Sequence, residues 1–218
     1  MKGYDKARRW LALALALLAG FIDATGFVAN GKYFVSFMSG NTTRLSVNLA
    51  TDRASAIVPA LLILGFVGGV TLGALLARRG GRWRKTAVIG FTTALVMLSA
   101  AGRAADMEAV FLGCSAMAMG TINNTFSRET HVAIGLTYMT GALVRFGQGL
   151  AAWLCGEVRE GWFFNILLWA SLTSGAIGGA LAETAVPAIA PWLSTALTTL
   201  LLLFAYRIER TNPVVQPT

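Results

Sequence analysis

The sequence predicts an all-α, polytopic membrane protein, and three observations carry that reading. Hydrophobic residues make up 56% of the 218-residue chain and charged residues only 13%, about half the charged share of a soluble domain. The apolar residues gather into runs long enough to cross a bilayer, and mean hydropathy is +0.63. The basic residues cluster at the ends of those runs. So little polar material cannot coat a water-soluble globule, which excludes a soluble enzyme, a disordered tail and a disulfide scaffold. The whole chain, 1–218, reads as a single membrane domain.

Taken in order, six stretches supply the roughly 20 apolar residues that a span needs. They are Trp10 to Ala29, Ala56 to Ala77, Thr86 to Ala101, Ala109 to Phe126, Phe163 to Leu181 and Trp192 to Tyr206. The third and the last are short. Trp10, Trp162 and Trp192 fall near span ends and read as interfacial anchors. Two further stretches, Phe34 to Ala50 and Val132 to Leu154, are apolar at their edges. Each carries Gly, Thr and a lone arginine in its middle. They either span or form broken, re-entrant segments.

Charge arbitrates between those two topologies. With six spans, thirteen basic residues face the cytoplasm: Lys2, Lys6, Arg8, Arg9, Arg78, Arg79, Arg82, Arg84, Lys85, Arg128, Arg159, Arg207 and Arg210. Only Lys32, Arg53 and Arg103 face outward. With eight spans the tally becomes nine inside against seven outside, and the five-charge loop 78–85 lies on the wrong side. Six spans are therefore expected, with both termini cytoplasmic, in a bacterial inner membrane. A signal-peptide reading of the N-terminus is disfavoured, because its apolar run continues past Leu18 through Phe21, Phe27 and Val28. The net charge of +8 lacks the aromatic-rich basic surface of a nucleic-acid binder.

The two halves resemble each other, over about 8–103 and 107–210. Gly20-Phe21-Ile22-Asp23-Ala24 aligns with Gly120-Thr121-Ile122-Asn123-Asn124 at an offset of 100. Phe37-Met38-Ser39-Gly40 aligns with Tyr138-Met139-Thr140-Gly141 at 101, which also places Arg44 on Arg145. Gly65 to Gly69 matches Gly175 to Gly179 at 110. Three crossings per repeat is an odd number, so the second copy is expected upside down relative to the first. Inverted repeats of this kind enclose transporter sites near the bilayer midplane, built from broken helices.

On these residues the chain resembles the YoaK family of bacterial multi-pass membrane proteins. The resemblance lies in Gly20 to Ala24, in Phe37-Met38-Ser39-Gly40-Asn41-Thr42, and in the echo Thr137-Tyr138-Met139-Thr140-Gly141. It covers nearly the whole chain. It implies a six-span domain of unknown function, and so a topology and no substrate. The second copy departs from the motif, with Ala142 where the first has Asn41.

The candidate site follows from the polar residues inside apolar runs. Asp23 lies about thirteen residues into its expected span, a depth at which a carboxylate costs roughly 2.5–3.5 kcal/mol. It is either a proton- or cation-binding group or a structural aspartate. Arg44 and Arg145 are its expected partners, or the holders of an anionic substrate, because a guanidinium stays charged everywhere. If their segments lie at the interface, each instead reaches water. Asn41, Thr42, Asn123, Asn124, Thr140 and Gln148 either coordinate an ion or solute or join helices. Gly65, Gly69 and Gly73, like Ser171, Gly175 and Gly179, form small-residue faces. These would hold the repeats together or support a homodimer.

Catalysis finds no constellation. His131 is the single histidine, so neither an HExxH zinc motif nor a histidine triad can be assembled. No G-x-S-x-G elbow or phosphate-binding loop occurs, and Cys114 and Cys155 suggest neither a disulfide nor a metal site. No cofactor and no metal are expected. The expected function is passage of a small solute across the inner membrane. The alternative is a non-transporting scaffold or assembly protein.

Overall fold

The computed structural model describes residues 6–31, 33–126, 137–157 and 161–211. Lys2, Lys32, Arg128, His131 and Arg159 lie outside the described residues. Among those described, all regular structure is helical. The order is α1 (Lys6–Asn30), α2 (Met38–Thr51), α3 (Ile57–Arg79), α4 (Arg84–Ala104), α5 (Glu108–Ile122), α6 (Met139–Leu154), α7 (Phe163–Ala185) and α8 (Ala190–Thr211). Short 3₁₀ turns, Arg53–Ala56 and Gly81–Trp83, lead into α3 and α4. A helix bonds every interior backbone group to itself, which the hydrocarbon of a bilayer demands.

Five of the helices are long and apolar enough to cross a membrane: α1, α3, α4, α7 and α8. The fourth expected span, 109–126, is cut short. Its helix α5 has 15 residues and ends at Ile122, where the chain turns through 123–126. At 1.5 Å per residue α5 rises about 22 Å, less than the ~30 Å of hydrocarbon. The two ambiguous stretches become α2 and α6, of 14 and 16 residues. Both begin only after an irregular stretch.

The buried core runs along α1 and α5. Leu11, Leu15, Leu18 and Ile22 of α1 join Phe111, Leu112, Met119 and Ile122 of α5 in one cluster. Apolar residues such as Leu64, Leu72, Ile177, Leu181 and Leu200 stay exposed on α3, α7 and α8, as lipid-facing positions would. Hydroxyls in these helices, among them Thr71, Thr173 and Thr199, donate to the carbonyl four residues back, so they need no outside partner.

Small residues set the packing. The α1–α7 and α3–α5 pairs form two close contacts. A Cβ at Gly69 would strike the Met117 carbonyl, and one at Gly175 the Leu17 carbonyl. Gly73 lies against Thr121 in the same way, and Gly179 against Phe21. Gly120 fits against the Phe66 carbonyl and Gly20 against that of Leu172. Gly69, Gly73, Gly175 and Gly179 thus pack within the chain. The equivalent contacts relate Gly69 to Gly175 and Gly73 to Gly179, an offset of 106 rather than the 110 suggested by similarity.

These contacts also give helix directions. Going from Gly69 to Gly73 moves the neighbour from Met117 to Thr121, so α3 and α5 are parallel. Going from Gly175 to Gly179 moves it from Leu17 to Phe21, so α1 and α7 are parallel. Helices α4 and α8 are antiparallel. Near the start of α4, the Lys85 and Thr86 amides donate to the Glu209 carboxylate at 2.8 and 3.0 Å, and the Thr86 hydroxyl donates at 2.7 Å. Farther along, Gly90 lies near Leu202. Glu209 thereby satisfies first-turn amides of α4, which have no acceptor within their own helix.

Candidate functional site

The site is built where α2 and α6 begin. After α1 ends at Asn30, the chain doubles back along it, and Asp23 catches the return. Its Oδ1 accepts the Val35 amide at 2.8 Å and the Ser36 amide at 2.7 Å. Asp23 is seven residues before Asn30, or about 10 Å along the helix axis, so the segment re-enters to that depth before α2 starts. Asn41 locks the same bend. It is fully buried, its side-chain amide donates to the Phe34 carbonyl at 2.6 Å, and its oxygen accepts the Phe34 amide at 3.1 Å.

The second half has a similar arrangement with a neutral residue. The Asn123 oxygen accepts the Thr137 amide at 3.4 Å and its hydroxyl at 3.3 Å. Its amide donates to the Met119 carbonyl at 2.8 Å. Asp23 and Asn123 are 100 residues apart, and the residues they hold, Ser36 and Thr137, are 101 apart.

Between the two helix starts lies a cavity of about 310 Å³. Four serine and threonine residues line it: Ser36 and Ser39 from the first half, Thr137 and Thr140 from the second. Phe37, Tyr138 and Phe66 supply aromatic wall. Neither the N-cap of α2 nor that of α6 is closed by a side-chain hydrogen bond. The first amide of each helix turns back on the chain instead, Met38 donating to the Ser36 carbonyl at 3.1 Å and Met139 to that of Thr137 at 3.0 Å. Another cavity, of about 400 Å³, lies between α1, α3 and α5, with Glu108 and Tyr33 on its wall.

Of the residues predicted from sequence, Thr140 lines the central cavity, and Asp23 and Asn123 hold its walls. Thr42 is exposed, and its hydroxyl donates to the Met38 carbonyl. Asn124 turns away and donates to the Val70 carbonyl at 2.9 Å, joining α5 to α3. The arginines depart most from expectation, since neither reaches Asp23. Arg44 lies over the Tyr33 and Phe34 rings, 5.9 Å from each centroid. Arg145 folds toward the head of α6, where Nε donates to the Gly141 carbonyl at 3.2 Å. Asp23 is met by backbone amides because the bend left them without acceptors, and an amide supplies a donor without burying a second charge.

Sequence reasoning missed the hydroxyls Ser36, Ser39 and Thr137 and the ion pair of Arg103 with Glu183 (3.0 Å), which ties the end of α4 to the end of α7. The first three had a legible signal, since Ser36 recurs as Thr137 and Ser39 as Thr140 at one offset.

Long apolar helices, close small-residue packing and broken segments within the helical bundle define a class, the multi-pass α-helical membrane proteins. Within it, the chain belongs to the DUF1275 family, described as a protein of unknown function, which it matches over residues 11–204. It is 36% identical over 201 residues to the UPF0700 transmembrane protein RA0705 of Rhizobium meliloti (strain 1021), a match covering 92% of this chain and 87% of that protein. No solved structure matches the chain.

Proposed function

We propose that this protein is a small-solute transporter or channel of the bacterial inner membrane, built from two inverted three-span repeats around the central cavity. The observation that carries the reading is that cavity, walled by matched hydroxyls from both halves and framed by broken helices. Helix directions support six crossings. If α1, α3, α4, α5, α7 and α8 each cross once, antiparallel α4 and α8 require that α6 does not cross. Parallel α1 and α7 then require the same of α2. In that arrangement the ends rich in Arg and Lys fall on one side, which the positive-inside rule assigns to the cytoplasm along with both termini. The short α5 crosses with the turn that follows it. The chemistry is passage rather than catalysis, in keeping with a sequence that offers no catalytic constellation.

In this reading Asp23 is the group that couples solute movement to protons. Purified protein in proteoliposomes is expected to take up a solute in a pH-dependent way, and Asp23→Asn to abolish that dependence with expression intact. Unchanged pH dependence in the variant removes the role. A second reading, a non-transporting scaffold, is favoured by one observation: the Asp23 carboxylate holds the bend before α2 by accepting the Val35 and Ser36 amides. Vesicles no more permeable than protein-free ones to any solute in a broad panel would favour it.

A further inference from the structure

We propose that the Arg103–Glu183 ion pair is an outer latch on the central cavity, the contact that breaks when the cavity opens outward, while Glu209 at the start of α4 is an inner latch that stays shut. The inference rests on the proposed function and names the moving parts around the same site.

Packing sorts the helices into two groups, α2, α3, α4 and α5 in one and α1, α6, α7 and α8 in the other. The cavity lies where they meet, with Ser39 of α2 and Phe66 of α3 on one side and Thr140 of α6 on the other. Helix α4 packs along α8 and is pinned to the second group near both its ends. Thr86 and Arg103 are seventeen residues apart, about 26 Å along the helix axis, close to the ~30 Å of hydrocarbon. In the six-crossing arrangement, Arg103 donates to Glu183 of α7 at the outer end, at 3.0 Å. At the inner end, Glu209 of α8 accepts the Lys85 and Thr86 amides. Rocking of one helix group against another around a central site is how inverted-repeat transporters alternate access.

The two pins are unequal. Glu209 is buried and accepts three donors at 2.7 to 3.0 Å. Two of them are first-turn amides with no acceptor in their own helix, so parting there strands them. Glu183 is buried as deeply, yet only its Oε1 meets Arg103, and its buried Oε2 has no partner among the described residues. A buried carboxylate left half satisfied is costly to keep, and water admitted by opening supplies the missing donor. Arg103 gives up little, since its side chain is already 34% exposed. Its guanidinium also lies 5.6 Å from the centroid of Phe111, on α5 of its own group, and keeps that ring when the pair parts. Behind the pair, α4 and α7 share no packed face among the described residues. The outer side therefore parts first.

The test reads the opening from Ser36→Cys, a position buried on the cavity wall, in the full chain with Cys114 and Cys155 replaced. A membrane-impermeant maleimide is applied to right-side-out and to inside-out membrane vesicles, and the labelling rate is measured. From outside, Arg103→Gln is expected to raise the rate at least fivefold. Arg103→Gln combined with Glu183→Gln, which strands no charge, is expected to do the same. From inside, neither changes the rate, whereas Glu209→Gln raises it. Should Arg103→Gln fail to fold, the double variant decides, and should Glu209→Gln fail, the outer arm decides. A rate from outside that stays at the wild-type value in the outer-latch variants overturns the inference. So does a rise of equal size from both faces, which marks general loosening. Uptake is judged apart: variants that open outward as expected, in a protein that moves no solute into proteoliposomes, uphold the latch and remove the transporter reading.

Discussion

Removing the acceptor at position 23 should undo the re-entrant bend, and the cost follows from two hydrogen bonds. Asp23→Leu deletes the oxygen that holds the Val35 and Ser36 amides at 2.8 and 2.7 Å. An orphaned buried amide costs about 1–3 kcal/mol, so the pair costs about 2–6 kcal/mol. Against a total stability of about 5–15 kcal/mol, that is a large fraction. Asp23→Asn keeps an oxygen in place and loses only the charge assistance, about 1–2 kcal/mol. Asn123→Leu should cost less than Asp23→Leu, since the Asn123 oxygen is neutral and holds the Thr137 amide at 3.4 Å, against 2.8 and 2.7 Å for the amides on Asp23. Denaturant unfolding in detergent, followed by tryptophan fluorescence, gives the order. The account requires Asp23→Leu to be the least stable of the three. Equal stability of Asp23→Leu and Asp23→Asn would refute it, because the carboxylate would then not be carrying the bend.

Two further outcomes rest on packing and on charge. Gly175→Ala sets a methyl against the Leu17 carbonyl and Gly69→Ala against that of Met117, so each should lower stability by about 1–3 kcal/mol, whereas Gly68→Ala, with open space around it, should stay near wild type in the same unfolding assay. Arg103→Gln leaves the Glu183 carboxylate, buried and with Oε2 already unsatisfied, without its cation. Because the Arg103 side chain is about a third exposed, the loss should be about 2 kcal/mol, below the 3–5 of a wholly buried pair, and Glu183→Gln on top of it should recover part of the loss.

The sequence made the long apolar helices legible because hydrocarbon admits few residue types, so composition alone marks α1, α3, α4, α7 and α8 as long and apolar enough to cross a membrane. The breaks before α2 and α6 were legible as interruptions by Gly, Thr and Arg. What a polar residue does inside the bundle was not. Asp23 suggests an arginine partner by charge, but the decisive neighbours are backbone amides of a bend that only the folded chain brings to it. Asn41 and Asn123 belong to one neutral polar set in the sequence, yet Asn41 bonds the backbone of Phe34 while Asn123 bonds Thr137 as Asp23 bonds Ser36. Gly65, Gly68 and Gly69 are interchangeable to the eye, while Gly69 alone of the three meets a backbone carbonyl too closely to bear a side chain. Arg103 and Glu183 went unpaired because charges at run ends normally reach water.

Sided labelling of single cysteines tests most directly whether the re-entrant segments turn back. With Cys114 and Cys155 replaced, Lys32→Cys and Ala54→Cys bracket α2, and Gly80→Cys lies beyond α3. In intact cells a membrane-impermeant maleimide should label the first two and spare the third, because α2 enters and leaves by the same face. Labelling of Lys32→Cys and Gly80→Cys with protection of Ala54→Cys would mean that α2 crosses, and the inverted three-span architecture would fall with it.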